Sequence, residues 1–316
     1  MKRAILMRSL LISLCLSCSN NSSPHVSPSP APLESPTVER EQDRNPQLEN
    51  ELAEIARQAR GRVGVAAKLL GSKQTVSLNS AEHFPMQSVY KLPISMAVVQ
   101  QVDQGKLKLD QMVRVAKDDF IGTNARSPIR DKFPNGVELS VSDLLRYAIS
   151  ESDGTASDVL MKVAGGPEII QSFLTTIGIA DMKIIDTEKA LARDRSLQYR
   201  NWTRPDAAVA LLETLDEKRE LSQTSRSLLM KLMAESTPGK NRLKGLLPAG
   251  TYVAHKTGTS GTQNGVTAAT NDIGIITLPN GQQLAIAVFV SESPADEATR
   301  EGVIAQLAKR VFETWK

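Results

Sequence analysis

Three short stretches of this chain carry side chains that can do chemistry together. Ser88-Val89-Tyr90-Lys91 lies in FPMQSVYKLP, Ser152-Asp153-Gly154 in AISESDGTASD, and Lys256-Thr257-Gly258 in TYVAHKTGTSG. A serine with a lysine three residues on is a nucleophile with a cation or base one helical turn away. A second serine can pass a proton, and a lysine beside hydroxyls can hold an anion. In this order the parts suit attack on an amide carbonyl, with a covalent acyl-enzyme as the intermediate.

Taken singly, each stretch has a plainer explanation. From composition, S-x-x-K is expected about once in a chain of this size, and Ser88 begins its one occurrence. K-T-G fits any strand end. A solvated lysine near a small residue would account for each, but not for the order of all three or for their surroundings. Ser88 opens an apolar run with helical character, and Lys256 ends an apolar run that reads as a strand.

The elements that must position these residues fall into two kinds. PQLENELAEIARQAR has helical apolar spacing. RVGVAAKLL and QTVSLN read as a strand pair joined at Gly71-Ser72. Residues 88–233 read mostly as helix, in ISMAVVQQVDQG, VSDLLRYAIS, TASDVLMKVAGG and RPDAAVALLETL, with Gly165-Gly166 as a helix stop. YVAHKTGTS, DIGIITL and LAIAVFVSE then read as strands, and a last helix closes the chain. Strands at both ends with helices between predict an α+β fold: one antiparallel sheet from both chain ends, flanked by helices, with a mostly helical domain inserted. The site is expected in the cleft between them.

Composition agrees with one sizeable globular unit. The chain has 316 residues, 41% hydrophobic, 23% charged and 4% aromatic. Aliphatic side chains and Met must therefore fill most of the core. Residues 1–18 read as a targeting segment, with Lys2, Arg3 and Arg8 before a short apolar run from Leu10 to Leu16. That run is too short to span a bilayer, and no later run is long enough. Both cysteines, Cys15 and Cys18, lie there, so the folded part has no disulfide. Leu16-Ser17-Cys18-Ser19 is compatible with lipid attachment at Cys18 or with an ordinary signal peptide cut nearby. Residues 19–44 are rich in Ser and Pro and read as a tether. Residues 45–316 form the compact part. Without the three targeting cations the chain has 35 basic and 35 acidic residues. That balance argues against nucleic acid as a partner. His25, His83 and His255 have no ligand spacing, so no metal is expected. No cofactor is expected either, and the chain is expected to be an exported, periplasmic monomer.

Motifs and layout over residues 45–316 resemble the class A serine β-lactamases, most of all their PER-type extended-spectrum branch. The shared stretches are FPMQSV at Phe84, QVDQGKL at Gln101, QYxNWT at Gln198, RLKGLLPAGT at Arg242, AHKTGTSG at Ala254 and TAATND at Thr267. The resemblance implies that Ser88 is the nucleophile and Lys91 its neighbouring base. Ser152 would relay a proton to the leaving nitrogen. Glu188, in a long loop ending near Trp202, would activate the hydrolytic water. Lys256, Thr257, Gly258 and Thr259 would form the strand edge that holds the substrate carboxylate, with Arg242 supporting that pocket. The N–H groups of Ser88 and Thr259 would form an oxyanion hole. Asp153 and Asp158 would brace loops, and His255 would face away from Lys256 and pack.

Three residues depart from the family pattern. Gly154 replaces an asparagine that donates to the substrate amide, so restoring it by Gly154→Asn is expected to speed penicillin turnover several-fold. Ala192 stands where the family has Asn and the branch has His. Arg126 stands where an aromatic flanks the cleft. Two other readings share the motifs: a D,D-peptidase or penicillin-binding protein, and a non-hydrolytic β-lactam-binding protein. Glu188 separates the first from a β-lactamase, because those proteins lack an efficient deacylating base; Gly154 and Ala192 keep the second open, and intact Ser88, Lys91, Ser152, Glu188 and Lys256 argue against it.

Overall fold

The computed structural model describes residues 45–216 and 220–316. The targeting segment with Cys15 and Cys18, the tether and His25 lie outside the described residues. Five strands make the main antiparallel sheet: β1 (Arg62–Leu69), β2 (Thr75–Leu78), β8 (Val253–Thr259), β11 (Thr270–Thr277) and β12 (Gln283–Ser291), in the order β2-β1-β12-β11-β8. The two ends of the chain thus meet in one sheet, with Val65 paired to Val288.

Strands β1 and β12 are buried almost throughout rather than alternately. Both faces of the sheet are covered, so both sets of side chains are shielded from water. Leu284, Ile286, Val288 and Val290 point to one core, shared with Val65, Leu52, Ile304 and Val311. The alternate residues Ala285, Ala287 and Phe289 point to the other, shared with Val89 and Leu92. The first core lies under helices α1 (Pro46–Arg57) and α10 (Glu297–Trp315). Each starts on a side-chain cap: Asn45 accepts from Leu48 N–H and Asp296 from Thr299 N–H.

The second core belongs mainly to the helical region. At its centre is α2 (Lys91–Asp103), buried on every side from Lys91 to Val99. Around it pack α4 (Val141–Ile149), α5 (Gly154–Ala164), α6 (Pro167–Thr176) and α9 (Gln223–Ala234), while α8 (Pro205–Asp216) lies against the sheet. Gly165, with a φ of 108°, ends α5. That is the left-handed region where glycine carries no steric penalty.

The secondary structure around the site differs from the sequence reading in several places. Ser88 does not open an α-helix: Gln87–Tyr90 is a 3₁₀ turn, and α2 begins at Lys91. Pro93 sits in the first turn of α2, where its missing N–H has no partner to lose. The segment around Glu188 is not bare loop but a short helix, α7 (Glu188–Arg193), and a 3₁₀ turn, Arg195–Tyr199. Finally, the middle of the chain also holds strands: β4 (Met112–Val115) pairs with β5 (Val137–Ser140), and β7 (Trp202–Thr203) lies between β3 (Phe84–Pro85) and β6 (Met182–Lys183).

Candidate active site

The turn that presents Ser88 is held from below. The Asn271 amide, fully buried on β11, donates to the carbonyls of Pro85 at 2.8 Å and Met86 at 3.2 Å. Gln87 takes a φ of 48°, an unusual conformation for a residue with a side chain. Gly258 of β8 lies so close that an added Cβ would overlap the Met86 carbonyl. The third residue of K-T-G is therefore glycine because strand and turn touch backbone to backbone.

Lys91 is almost wholly buried, and its ammonium meets three acceptors: Ser88 Oγ at 2.9 Å, the Ser152 carbonyl at 2.8 Å and Glu188 Oε1 at 2.9 Å. Three donors thus have three partners. Ser88 Oγ in turn lies 3.5 Å from Glu188 Oε1, with its hydroxyl as donor. Ser152 takes a φ of 56°, a strained left-handed conformation for serine. Its Oγ accepts from Lys256 Nζ at 2.9 Å. One serine therefore sits between two lysines, its carbonyl on one and its hydroxyl on the other.

Lys256 lies in mid-strand rather than at the strand's end, and it is fully buried beneath Ser152. Burial first, and then the charge of Lys91, push its pKa well below the ordinary lysine value. Thr257 and Thr259 line the cleft; Lys256 does not. Arg242 is also buried rather than solvated. It pairs with Glu301 at 2.9 Å, donates to the Asn271 carbonyl at 2.9 Å and to the Gly258 carbonyl at 3.3 Å, and reaches Thr259 Oγ1 at 2.8 Å. It thus lies behind Thr259 and does not line the cleft. His255 faces the opposite side of β8 from Lys256 and does more than pack: its Nδ1 lies 2.8 Å from Asp272.

Glu188 is held through its backbone. Asp158, on α5, accepts from the N–H groups of Glu188 and Lys189, both at 2.8 Å. Thr187 caps α7 by accepting from Ala190 N–H. Asn201 shapes the preceding chain by accepting from Ile185 and Asp186 N–H. Asp158 is mostly withdrawn from water. Desolvation, followed by the charge of Glu188, raises its pKa to about 7. Asp153 caps α5 through Ala156 N–H and also accepts from Ile129 N–H. Both aspartates brace backbone.

Ser88, Lys91, Ser152, Glu188, Thr257 and Thr259 open onto one cleft of about 310 Å³. Sequence reasoning missed several of its other walls. Asn124 lines it and donates to the Ala192 carbonyl at 2.9 Å, and Gln87 donates to Gln198 at 2.8 Å. Such pairings, far apart in the chain, leave no local signature. Arg126 also lines the cleft, its Nε bonded to the Glu151 carbonyl at 2.7 Å. No group of side chains able to hold a metal occurs among the described residues.

An antiparallel sheet flanked by helices, with two serines, two lysines and a carboxylate joined by hydrogen bonds beside the cleft, defines a serine acyl-transfer enzyme of the α+β type. The chain belongs to the β-lactamase enzyme family, whose model matches residues 47–315, and within it to the class A serine β-lactamases. It is 43% identical to the extended-spectrum β-lactamase PER-1 of Pseudomonas aeruginosa over 271 residues, 85% of this chain and 87% of that one. It is 42% identical to the β-lactamase VEB-1 of the same organism over 270 residues, 84% of this chain and 90% of that one. The crystal structure of a β-lactamase from Chitinophaga pinensis matches with a TM-score of 0.83 at 43% identity, covering 85% of this chain and all of that one. The protein is accordingly a hydrolase acting on β-lactams.

The packing around Glu188 can be tested at two neighbours. A Cβ on Gly154 would overlap Ile121 Cδ1 and come within 3.2 Å of Glu188 Cγ. That space is already filled, so Gly154→Asn should not simply restore a missing amide. It is expected to cost about 1–3 kcal/mol by overpacking and to slow turnover by displacing Glu188, while adding Ile121→Ala recovers much of both. Thermal unfolding and penicillin kcat measure this; a single variant as stable and as fast as the parent refutes it. Asp158 has a folded-state pKa far above its unfolded value. It therefore favours folding at low pH and loses that contribution as pH rises toward its folded pKa. Asp158→Asn should then gain stability relative to the parent by about 1–3 kcal/mol between pH 5 and pH 8. Denaturant unfolding at the two pH values measures the difference, and a pH-independent offset would remove the cause given for the shift.

Proposed function

We propose that β-lactam hydrolysis by this chain runs through an acyl-enzyme on Ser88. The observation that carries this reading is the Lys91 ammonium, within hydrogen-bond distance of Ser88 Oγ, the Ser152 carbonyl and Glu188 at once. Ser88 Oγ attacks the lactam carbonyl as its proton leaves toward Glu188, directly or through water, or toward Lys91 in its neutral form. The oxyanion is met by the N–H groups of Ser88 and Thr259. Ser152 Oγ gives its proton to the lactam nitrogen as the C–N bond breaks and is resupplied from the Lys91–Lys256 side. Glu188 then takes a proton from water, which attacks the ester and frees Ser88.

Thr257 and Thr259 hold the substrate carboxylate by hydroxyl donation. Lys256 acts as a charge beneath them, Arg242 fixes the Thr259 hydroxyl, and Gly258 allows the strand to approach. A carboxylate 3.5 Å from Ser88 Oγ favours this reading over a D,D-peptidase or a non-hydrolytic binder. Residues 1–18 act as an export signal, with lipid attachment at Cys18 or plain cleavage nearby, and residues 19–44 tether a monomeric catalytic domain, residues 45–316, in the periplasm. No helix of the described residues is long and apolar enough to cross a membrane.

Ser88→Ala is expected to abolish turnover of a chromogenic cephalosporin. Glu188→Gln keeps Ser88 and Lys91, so it should still acylate, and intact-mass spectrometry after mixing with a penicillin should show a persistent adduct. Recovery of free enzyme at the parent rate would take Glu188 out of its role. For export, labelling of cells with a palmitate analogue is expected to mark the chain and to lose the mark in Cys18→Ala if the lipid route is used. A periplasmic, unlabelled protein would leave the plain signal peptide, and a cytoplasmic one would overturn export.

A further inference from the structure

We infer that the cleft favours β-lactams whose acylamino side chain carries its own negative charge, and that Arg195 reads that charge. The inference rests on the proposed function and names a substrate class for the same site.

Arg195 begins the 3₁₀ turn after α7, and its side chain lines the cleft. Its guanidinium lies against Gly261, two residues beyond Thr259: an added Cβ on Gly261 would be 3.1 Å from Arg195 Nη1. The group therefore reaches from the Glu188 segment across to the strand edge. Among the described residues it has no hydrogen-bond or ion-pair partner. Its neighbour Asp194 is engaged elsewhere, accepting from Ser196 N–H at 2.9 Å and Ser196 Oγ at 2.7 Å.

The charge balance of the cleft points the same way. Its one lining carboxylate, Glu188, is paired with Lys91. Arg126, exposed on the wall, uses only its Nε in a bond to backbone. Two guanidinium groups thus face the cleft with no carboxylate of the protein left to meet them. The carboxylate and the acylamino group of a β-lactam leave the ring system on opposite sides. With the ring carboxylate on Thr257 and Thr259, the remaining wall of the cleft, which includes Ala192, Arg195 and Gln198, is left for the acylamino group. Arg195 is itself exposed, so an anion there forms a solvent-screened ion pair worth a factor of a few in rate and sensitive to salt.

Benzylpenicillin and carbenicillin test this, because they differ only by a carboxylate in place of one benzylic hydrogen. The readout is the ratio of kcat/KM for carbenicillin to that for benzylpenicillin, on the mature protein and on variants of matched melting temperature. Arg195→Gln should lower this ratio roughly three- to fivefold, and Arg195→Glu should lower it further, while Arg195→Lys keeps most of it. High salt should shrink the ratio in the unaltered protein more than in Arg195→Gln. A ratio that is the same in all variants, or an equal loss for both penicillins, would make Arg195 a solvated surface residue and overturn the inference. If the unaltered protein turned over neither penicillin nor any cephalosporin, the reading of function itself would fall, and this one with it.

Discussion

A buried ammonium must be given acceptors, and most of the architecture around the cleft serves that one requirement. An unpaired cation in the interior costs several kcal/mol after relaxation. Lys91 stands at the first residue of a helix buried on every side, so its neighbours must come from elsewhere. They come from three separated parts of the chain: the nucleophile turn, the strained serine of the Ser152 loop, and the segment that carries Glu188. Each partner is also a chemical group of the proposed reaction. The electrostatic demand of the lysine and the geometric demand of catalysis are met by the same contacts. Folding the cation into the core therefore assembles the site. The strain at Ser152 is sustained because both its carbonyl and its hydroxyl are held by lysines.

A second constraint is the close approach of sheet and nucleophile turn. Strand β8 can lie on the Met86 carbonyl only with glycine at 258, and the neighbouring strand supplies Asn271 to satisfy the turn's carbonyls. Arg242 then ties both strands together from behind, through the Gly258 and Asn271 carbonyls, while its other end meets Glu301 on α10. The C-terminal helix, the sheet edge and the hydroxyl of Thr259 are thus one connected network. A substitution at Arg242 would act on the cleft through Thr259 without touching it.

Local chemistry was legible in the sequence where it has a local signature. Ser88-x-x-Lys91 and Lys256-Thr257-Gly258 stand out by spacing, and the strands of the main sheet by their apolar runs. Asp158 was assigned a bracing role only through resemblance, since one aspartate on a helix carries no mark of the two backbone N–H groups it accepts. The 3₁₀ turn at Ser88 and the two-residue strands β3, β6 and β7 escaped because they are too short to show any period. Asn124, Gln87 and Asn271 escaped because their partners lie 68, 111 and 186 residues away. The segment at Glu188 reads as a loop in the sequence, whereas its helix is set by a threonine cap and by Asp158, which sits 30 residues earlier.

The departures at Gly154 and Ala192 have a common physical consequence. Both remove a polar side chain from the surroundings of Glu188. At Gly154 the space is taken by Ile121 and by the methylene of Glu188 itself. At Ala192 it is the backbone carbonyl, not a side chain, that receives a donor, from Asn124. In this chain the Glu188 segment is placed through its backbone: the Asp158 clamp, the Thr187 cap and the Asn124 contact fix where α7 starts and where its carbonyl side lies. Backbone anchoring leaves only the side-chain torsions of Glu188 to be set, and its bond to Lys91 sets the last of them. A carboxylate whose segment is held this way does not depend on polar side chains at 154 or 192 to fix where that segment lies.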